Sequence, residues 1–244
     1  MSTNVSPAPT TPHYQPKRIW PTLLAAAADA ARRSKSDRRK GLGSEIYTAV
    51  ILSRTSLDAH LHEMLLLRNL PIHVRFQTGD SSKRRLSASR WRMIEDARHT
   101  LTNTPRRERQ DYSDVRDLPF EQKLQTLLLL LNADHQSPLV TRFEETFAST
   151  INLNHLRNAI VHHDFDKPSS TLKLTCQQIR SQLHISDDFP HQWETIMTHP
   201  EVGLWSCRTV GETILRLERL DHQRTIHFSA TNNVVRSALS SLGR

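Results

Sequence analysis

SEIYTAVILSRTSLDAHLHEML, residues 44–65, is the longest stretch of the chain with a clear helical pattern. Ser44 follows a Gly-Leu-Gly break and is predicted to cap the helix, and Pro71 is predicted to end it. The apolar residues return every three or four positions, which is the spacing of one face of an α-helix: Ile46, Ala49, Val50, Leu57, Leu61, Met64 and Leu65. This stretch predicts a long helix at the centre of the fold.

Five further segments carry helical signals, and three of them begin at a proline, a favoured first position of a helix. The predicted helices cover residues 119–132, 138–149, 154–163, 172–183 and 200–220. Between residues 71 and 118 the periodicity is weak and basic residues are dense, with one helix expected at 86–101. We therefore expect an all-α fold, a helical bundle with a basic insertion at 71–118.

The composition favours a basic helical domain with some disordered length attached. Hydrophobic residues make up 36% of the 244 residues, below the usual globular share. The 33 Lys and Arg exceed the 25 Asp and Glu, which leaves a net charge of +8. Such a charge attracts anions, so RNA is the first partner to consider, although solubility alone also explains it. No apolar run approaches the ~20 residues of a membrane-spanning helix, so no membrane partner is expected.

Metal and disulfide sites find little support in the sequence. Cys176 and Cys207 are the only cysteines, too few for a four-cysteine zinc site or a disulfide framework, so we expect the reducing cytoplasm. Leu66 stands where a His-Glu-x-x-His zinc motif beginning at His62 needs its second histidine. Histidines 155, 162 and 163 have only Asp164 and Asp166 nearby as further ligands. We expect neither a metal nor a cofactor.

The ends of the chain are predicted to lie outside the bundle. Prolines at 7, 9, 12, 16 and 21 prevent regular structure, so residues 1–43 are expected to form a disordered or loosely helical basic tail. Within it a short helix is expected at 22–31. Residues 44–220 then form the helical domain and 221–244 a C-terminal arm. TIHFSATNNVV, residues 225–235, fits either a short strand or a docked arm.

The segment LNHLRNAIVHHDF, residues 153–165, carries the strongest functional signal. On a helix, Leu153, Leu156, Ala159 and Ile160 fall on one arc, and Asn154, His155, Asn158 and His162 on the opposite arc. Asn158 and His162 stand four residues apart, so the amide is expected to orient the imidazole. Arg157 reaches the same spot through its long side chain or from a neighbouring subunit. The apolar arc predicts core packing, and the polar arc predicts a site.

RNAIVH, residues 157–162, resembles the Arg-x4-6-His signature of HEPN domains, helical bundles found in many prokaryotic ribonuclease toxins and defence proteins. SLDAHLHEML, residues 56–65, is similar to the acidic-residue helix of that family. The resemblance covers about residues 44–220. It implies a HEPN-like bundle and a metal-independent endoribonuclease with RNA as substrate. It also implies a homodimer and a cognate antitoxin or another inhibitory protein.

The resemblance implies that Arg157, Asn158 and His162 are the catalytic residues. His162 suits general acid–base work on a ribose 2′-hydroxyl, because an imidazole titrates near neutral pH. Arg157 offers a planar, permanent charge that matches a phosphate. Around them we expect Asp58, His62 and His163 as a second polar shell. Asp58 and His62 also fit an exposed pair, and His163, on the apolar side of the wheel, also fits a structural role.

Three alternatives remain open from the sequence. Arg84, Arg85, Arg90 and Arg92, with Trp91 between the last two, fit an RNA-binding surface or a solvated charged loop. The polar face of residues 154–162 also fits a non-catalytic HEPN-like module that binds RNA or a protein. A helical scaffold whose histidines merely satisfy an interface is the third reading.

Overall fold

The computed structural model describes residues 18–36, 42–67, 119–131, 137–162, 168–185, 193–220, 225–240 and 242. About 90% of the structure is helical, and no strand occurs among the described residues. The all-α prediction is therefore confirmed at the level of fold class. The described part of the chain contains these helices: α1 (Trp20–Ser36), α2 (Leu42–Leu67), α3 (Phe120–Leu130), α4 (Pro138–Thr141), α5 (Phe143–Thr146), α6 (Ala148–His162), α7 (Ser170–Leu183), α8 (Trp193–Thr198), α9 (Pro200–Leu220) and α10 (Thr225–Ser240).

Helix α2 is the centre of the bundle, as its pattern predicts. It contacts α1, α3, α6, α8 and α9. Its residues Ile46, Val50, Leu57, Leu61 and Met64 are at most 1% exposed and lie in the main hydrophobic core. The helix begins at Leu42, two residues before the predicted cap. Ser44 is therefore inside the first turn, where its carbonyl accepts a hydrogen bond from Thr48.

Helix α1 corrects the prediction that residues 1–43 form a tail. Trp20 and Leu24 of this helix are buried in the main core. Ala27, Ala28, Ala30 and Ala31 are at most 1% exposed, because α1 packs against both α2 and α9. Small side chains let helix axes approach closely, so an alanine run of low overall hydropathy can still form a buried face. The bundle thus includes residues 20–36; residues 1–17 lie outside the described ranges.

The C-terminal segment is also helical. Residues 225–240 form α10, which packs on α9 and α1, so the short-strand alternative is wrong. Val235 is fully buried, and Leu239 packs against both hydrophobic clusters. Gly211 of α9 allows this contact, since a Cβ atom there would stand 2.8 Å from a methyl group of Leu239. The predicted arm is a docked helix over the described residues 225–240.

Helices α3, α7 and α9 lie at predicted positions, whereas α8 was not predicted. The helix predicted at 86–101 lies outside the described residues. Helix α9 has the predicted limits, and α7 begins two residues earlier than predicted, where Ser169 accepts a hydrogen bond from the Leu172 amide. The helix predicted at 138–149 is divided instead, because the backbone leaves helical geometry at Arg142 and at Phe147. The helix predicted to start at Asn154 therefore begins at Ala148.

None of the helices in the described ranges is long and apolar enough to cross a membrane.

Candidate functional site

Helix α6 presents the motif residues at its C-terminal end. Leu153, Leu156 and Ala159 are buried, as the apolar arc predicts, and Ile160 packs against the main core. Arg157 and Asn158 are half-buried, and His162, the last residue of the helix, is exposed. The helix thus places the three motif side chains at the boundary between the core and solvent. His163 lies outside the described residues.

Asn158 has a different partner from the one predicted. Its side-chain oxygen accepts a hydrogen bond from an Arg157 guanidinium nitrogen at 3.1 Å. The Asn158 amide therefore steadies the arginine, the neighbouring residue in the chain. A hydrogen bond to the guanidinium restricts its rotation, so Asn158 helps to fix the position of the half-buried Arg157 side chain.

Asn154 departs from the predicted polar arc, since it is only 8% exposed. Its side-chain oxygen accepts a hydrogen bond from Nε of Arg54 at 3.0 Å, and this contact ties α6 to α2. Arg54 is itself 8% exposed, and its guanidinium carbon lies 3.5 Å from the centroid of the Phe120 ring. The motif helix is therefore backed by a buried arginine stacked on an aromatic ring.

Asp58 supplies the negative charge in this region. Its carboxylate accepts a hydrogen bond from Nζ of Lys123 at 3.1 Å and lies 3.7 Å from Nη1 of Arg54, one turn away on α2. Lys123 is buried, whereas the Asp58 side chain is 44% exposed. We call the set Arg54, Asp58, Phe120, Lys123 and Asn154 the polar seam. Asp58 is thus connected to the motif helix by way of Arg54. His62, one turn after Asp58 on α2, is half-buried.

Burial sets the electrostatics of the polar seam. Burial lowers the pKa of Arg54 to about 10, the Asp58 carboxylate opposes this, and the positive charge of Arg157 lowers the pKa further. Arg54 remains charged at neutral pH. The like charge of Arg157 acts on it across the α2–α6 contact, so two guanidinium groups share this region.

His155 joins α6 to two neighbouring helices. Its Nε2 lies 3.3 Å from a carboxylate oxygen of Glu121 on α3, and its Nδ1 lies 3.2 Å from the hydroxyl of Thr175 on α7. The hydrogen bond with His155 is the largest cause that lowers the pKa of Glu121, and one with Asn154 adds to it. Both ring nitrogens of His155 are therefore engaged in packing α6 between its neighbours.

Sequence reasoning missed Arg54, Lys123 and Glu121 as part of this region. One signal was available, since Arg54 stands four residues before Asp58 and interrupts the apolar pattern between Val50 and Leu57. An arginine on the buried side of a central helix needs partners on whichever helix packs there. The identity of those partners depends on the packing of α3 and α6, which periodicity does not give.

The cysteines are structural. Burial raises the pKa of both Cys176 and Cys207 to about 11, so neither is a thiolate at neutral pH. Within the described ranges no group of three His, Cys, Asp or Glu side chains could hold a metal ion. Arg84, Arg85, Arg90 and Arg92 lie outside the described residues, and their RNA-binding role stays a prediction.

A further polar pair in the core, His60 and Glu218, serves packing. His60 Nε2 lies 3.6 Å from a carboxylate oxygen of Glu218, and its ring meets that of Trp20 edge-on at a centroid distance of 5.0 Å. Both members of the pair are at most 3% exposed. This contact joins α2 to α9 and α1 in the interior, where no substrate has access.

The chain was also compared with known proteins. No protein family, curated protein or solved structure matches it. The motif on α6 and the polar seam behind it are therefore the basis on which a function is assigned.

Proposed function

We propose that the chain is a metal-independent endoribonuclease of the HEPN type that acts as a toxin or an antiviral defence effector. The observation that carries the proposal is the placement of Arg157, Asn158 and His162 at the exposed end of one helix. Behind them, the polar seam holds that helix against α2. Arg157 is held by the neighbouring Asn158 amide, His162 is exposed to solvent, and the helix that carries both is fixed from behind. This arrangement suits catalysis on a phosphodiester that binds from solvent.

The chemistry is an attack of the ribose 2′-hydroxyl on the adjacent phosphorus. The neutral imidazole of His162 takes the proton of that hydroxyl, and a protonated imidazole gives a proton to the leaving 5′-oxygen. Arg157 stabilises the negative charge that builds up on the phosphorane oxygens. The products are a 2′,3′-cyclic phosphate and a free 5′-hydroxyl. A substrate without a 2′-hydroxyl lacks the nucleophile, so the reaction is specific for RNA.

A homodimer would supply the second histidine as another copy of His162. Two exposed apolar side chains are available for such a contact: Val161, next to His162, is 42% exposed, and Leu174 on α7, which packs against α6, is 54% exposed. RNA as substrate, a cognate antitoxin or other inhibitory protein, and a cytoplasmic location belong to the same proposal.

The test is incubation of the purified protein with a mixed RNA pool in EDTA, beside Arg157→Ala and His162→Ala. We expect cleavage that leaves 2′,3′-cyclic or 3′-phosphate ends, and a loss of about 100-fold or more in each variant, as for removal of a group that stabilises the transition state. His184→Asn and Arg236→Ala are matched controls, because both side chains are exposed and lie away from α6 in the chain: His184 directly follows α7, and Arg236 is on α10. Asn tolerates the left-handed backbone at position 184, where φ is 51°.

The outcome separates the nuclease from its main alternative. RNA that is bound but left intact, with affinity falling steeply as salt rises, would identify a non-catalytic binding module instead. Equal cleavage by the wild type and both motif variants would point to a contaminating nuclease and remove the support for this function.

A further inference from the structure

The polar seam, taken together with Arg157 and Glu121 beside it, carries more positive than negative charge. Arg54, Lys123 and Arg157 are cationic, and two carboxylates, Asp58 and Glu121, lie among them. Asp58 is shared between Arg54 and Lys123, and Glu121 is bonded to His155. Among the described residues of this region, one positive charge therefore remains before any histidine is protonated. Of the three cations, Arg157 is the one that reaches solvent, because Arg54 and Lys123 are buried.

Position and burial decide what that charge can do. Arg54 is held by three features, the Asn154 oxygen, the Asp58 carboxylate and the Phe120 ring, so its guanidinium has a fixed place behind the motif helix. Asn154 and Arg157 are one helical turn apart on α6. A buried charge is screened less by salt and water than an exposed one, and it acts over a longer range.

We propose that Arg157 is the contact residue of an anion site for a phosphodiester group of RNA, and that the buried Arg54 is a second cation of this site. Arg54 attracts the phosphodiester through its charge and does not contact it. The inference rests on the proposed function for its ligand, since the anion is the phosphate backbone of the substrate. Two guanidinium groups that repel one another across a helix contact gain free energy when an anion binds beside them. Asp58 then has the opposite role and weakens the site.

The experiment measures binding without cleavage. The full-length protein is titrated into a short fluorescent 2′-O-methyl RNA oligonucleotide, which lacks the nucleophile, at several salt concentrations. We expect Arg54→Met to weaken binding about tenfold with little change in the slope of log K against log salt, because that slope reports direct phosphate contacts and Arg54 makes none. Arg54→Lys keeps the positive charge on which the proposed effect depends, so we expect its affinity to stay within about threefold of the wild type.

Two further variants keep the test independent of folding. Asp58→Asn removes a partly exposed neutralising charge, and we expect it to tighten binding by about threefold or more. Arg216→Met is the matched control. Arg216, on α9, also stacks on an aromatic ring, that of Phe147, but it does so beside the N-terminal end of α6, away from the motif. It should change affinity by less than about twofold. Thermal unfolding of each variant shows whether it is folded.

Several results would overturn the inference: no binding by the wild type, equal weakening in Arg54→Lys and Arg54→Met, no tightening in Asp58→Asn, or an equal loss in Arg216→Met. Failure of the nuclease proposal looks different. In that case the oligonucleotide affinities follow the charges as expected, while unmodified RNA remains intact with every protein.

Discussion

Helix α2 forms two contacts of opposite character. Towards α1 and α9 it packs through small side chains, a set that we call the alanine seam: Ala27, Ala28, Ala30, Ala31, Ala49, Gly203 and Cys207. Towards α3 and α6 it packs through the polar seam. A close-packed contact of small residues stabilises the bundle by excluding water. A buried arginine and lysine lose hydration that their partners only partly replace, so stability alone does not explain why the chain has them there.

The largest expected effect concerns α1, which forms one side of the alanine seam. Trp20 is 1% exposed, its ring meets His60, and its carbonyl accepts a hydrogen bond from Ser56. Trp20→Ala should lower the free energy of unfolding by about 3–5 kcal/mol, as for other buried aromatic side chains. Denaturant unfolding measures it, with Ile19→Ala as the control because Ile19 is 56% exposed. Similar small losses in both would mean that α1 is not part of the core.

The next effect tests the close approach within the alanine seam itself. A Cβ atom at Gly203 would lie 3.4 Å from both Ala31 and Ala49, an ordinary contact distance, so Gly203→Ala should be tolerated. Gly203→Val adds two methyl groups between packed backbones and should lower the free energy of unfolding by about 1–3 kcal/mol. Urea midpoints of the two variants give the comparison. A valine as well tolerated as the alanine would show that the helices can separate without loss.

The polar seam should respond in the opposite way. Arg54→Met with Asn154→Leu replaces a buried polar contact by apolar side chains, and Asp58 keeps Lys123 as its partner at 3.1 Å. Because apolar replacement of buried charged groups is often neutral or stabilising, we expect a change below about 1 kcal/mol. The same double variant should bind the 2′-O-methyl oligonucleotide about tenfold more weakly than the wild type, as expected for Arg54→Met alone. A loss of stability like that of Trp20→Ala would make the polar seam a structural feature.

The same contrast explains which parts of the structure the sequence could predict. Helices α2 and α9 were predictable because their apolar residues repeat with helical spacing and Pro71 and Pro200 bound the patterns. The role of α1 was not, since an alanine run gives little hydropathy signal although it packs tightly. Within the site, the half-buried and exposed positions of Arg157 and His162 follow from the helical wheel. The burial of Asn154 does not, because it depends on Arg54, which is 100 residues away in the chain.

The smallest effect lies at the edge of the polar seam and depends on pH. In the folded protein, the pKa of Glu121 lies below its usual value of 4.5, chiefly because of the hydrogen bond with His155. A lowered carboxyl pKa contributes stability that is present above the unfolded pKa and is lost as the pH falls through the folded pKa. Glu121→Gln should therefore lower the free energy of unfolding at neutral pH, and the difference should shrink as the pH falls below 4.5 and through the folded pKa of Glu121.

The Glu121 side chain is 40% exposed, so solvent weakens the pair and the expected difference at neutral pH is below about 1 kcal/mol. Urea unfolding across this pH range measures it, with Glu144→Gln as a control that removes one carboxylate from an exposed position on α5. A difference that stays constant or grows on acidification would contradict the pairing of Glu121 with His155. It would also mean that Glu121 and His155 do not join α3 to the motif helix beside the polar seam.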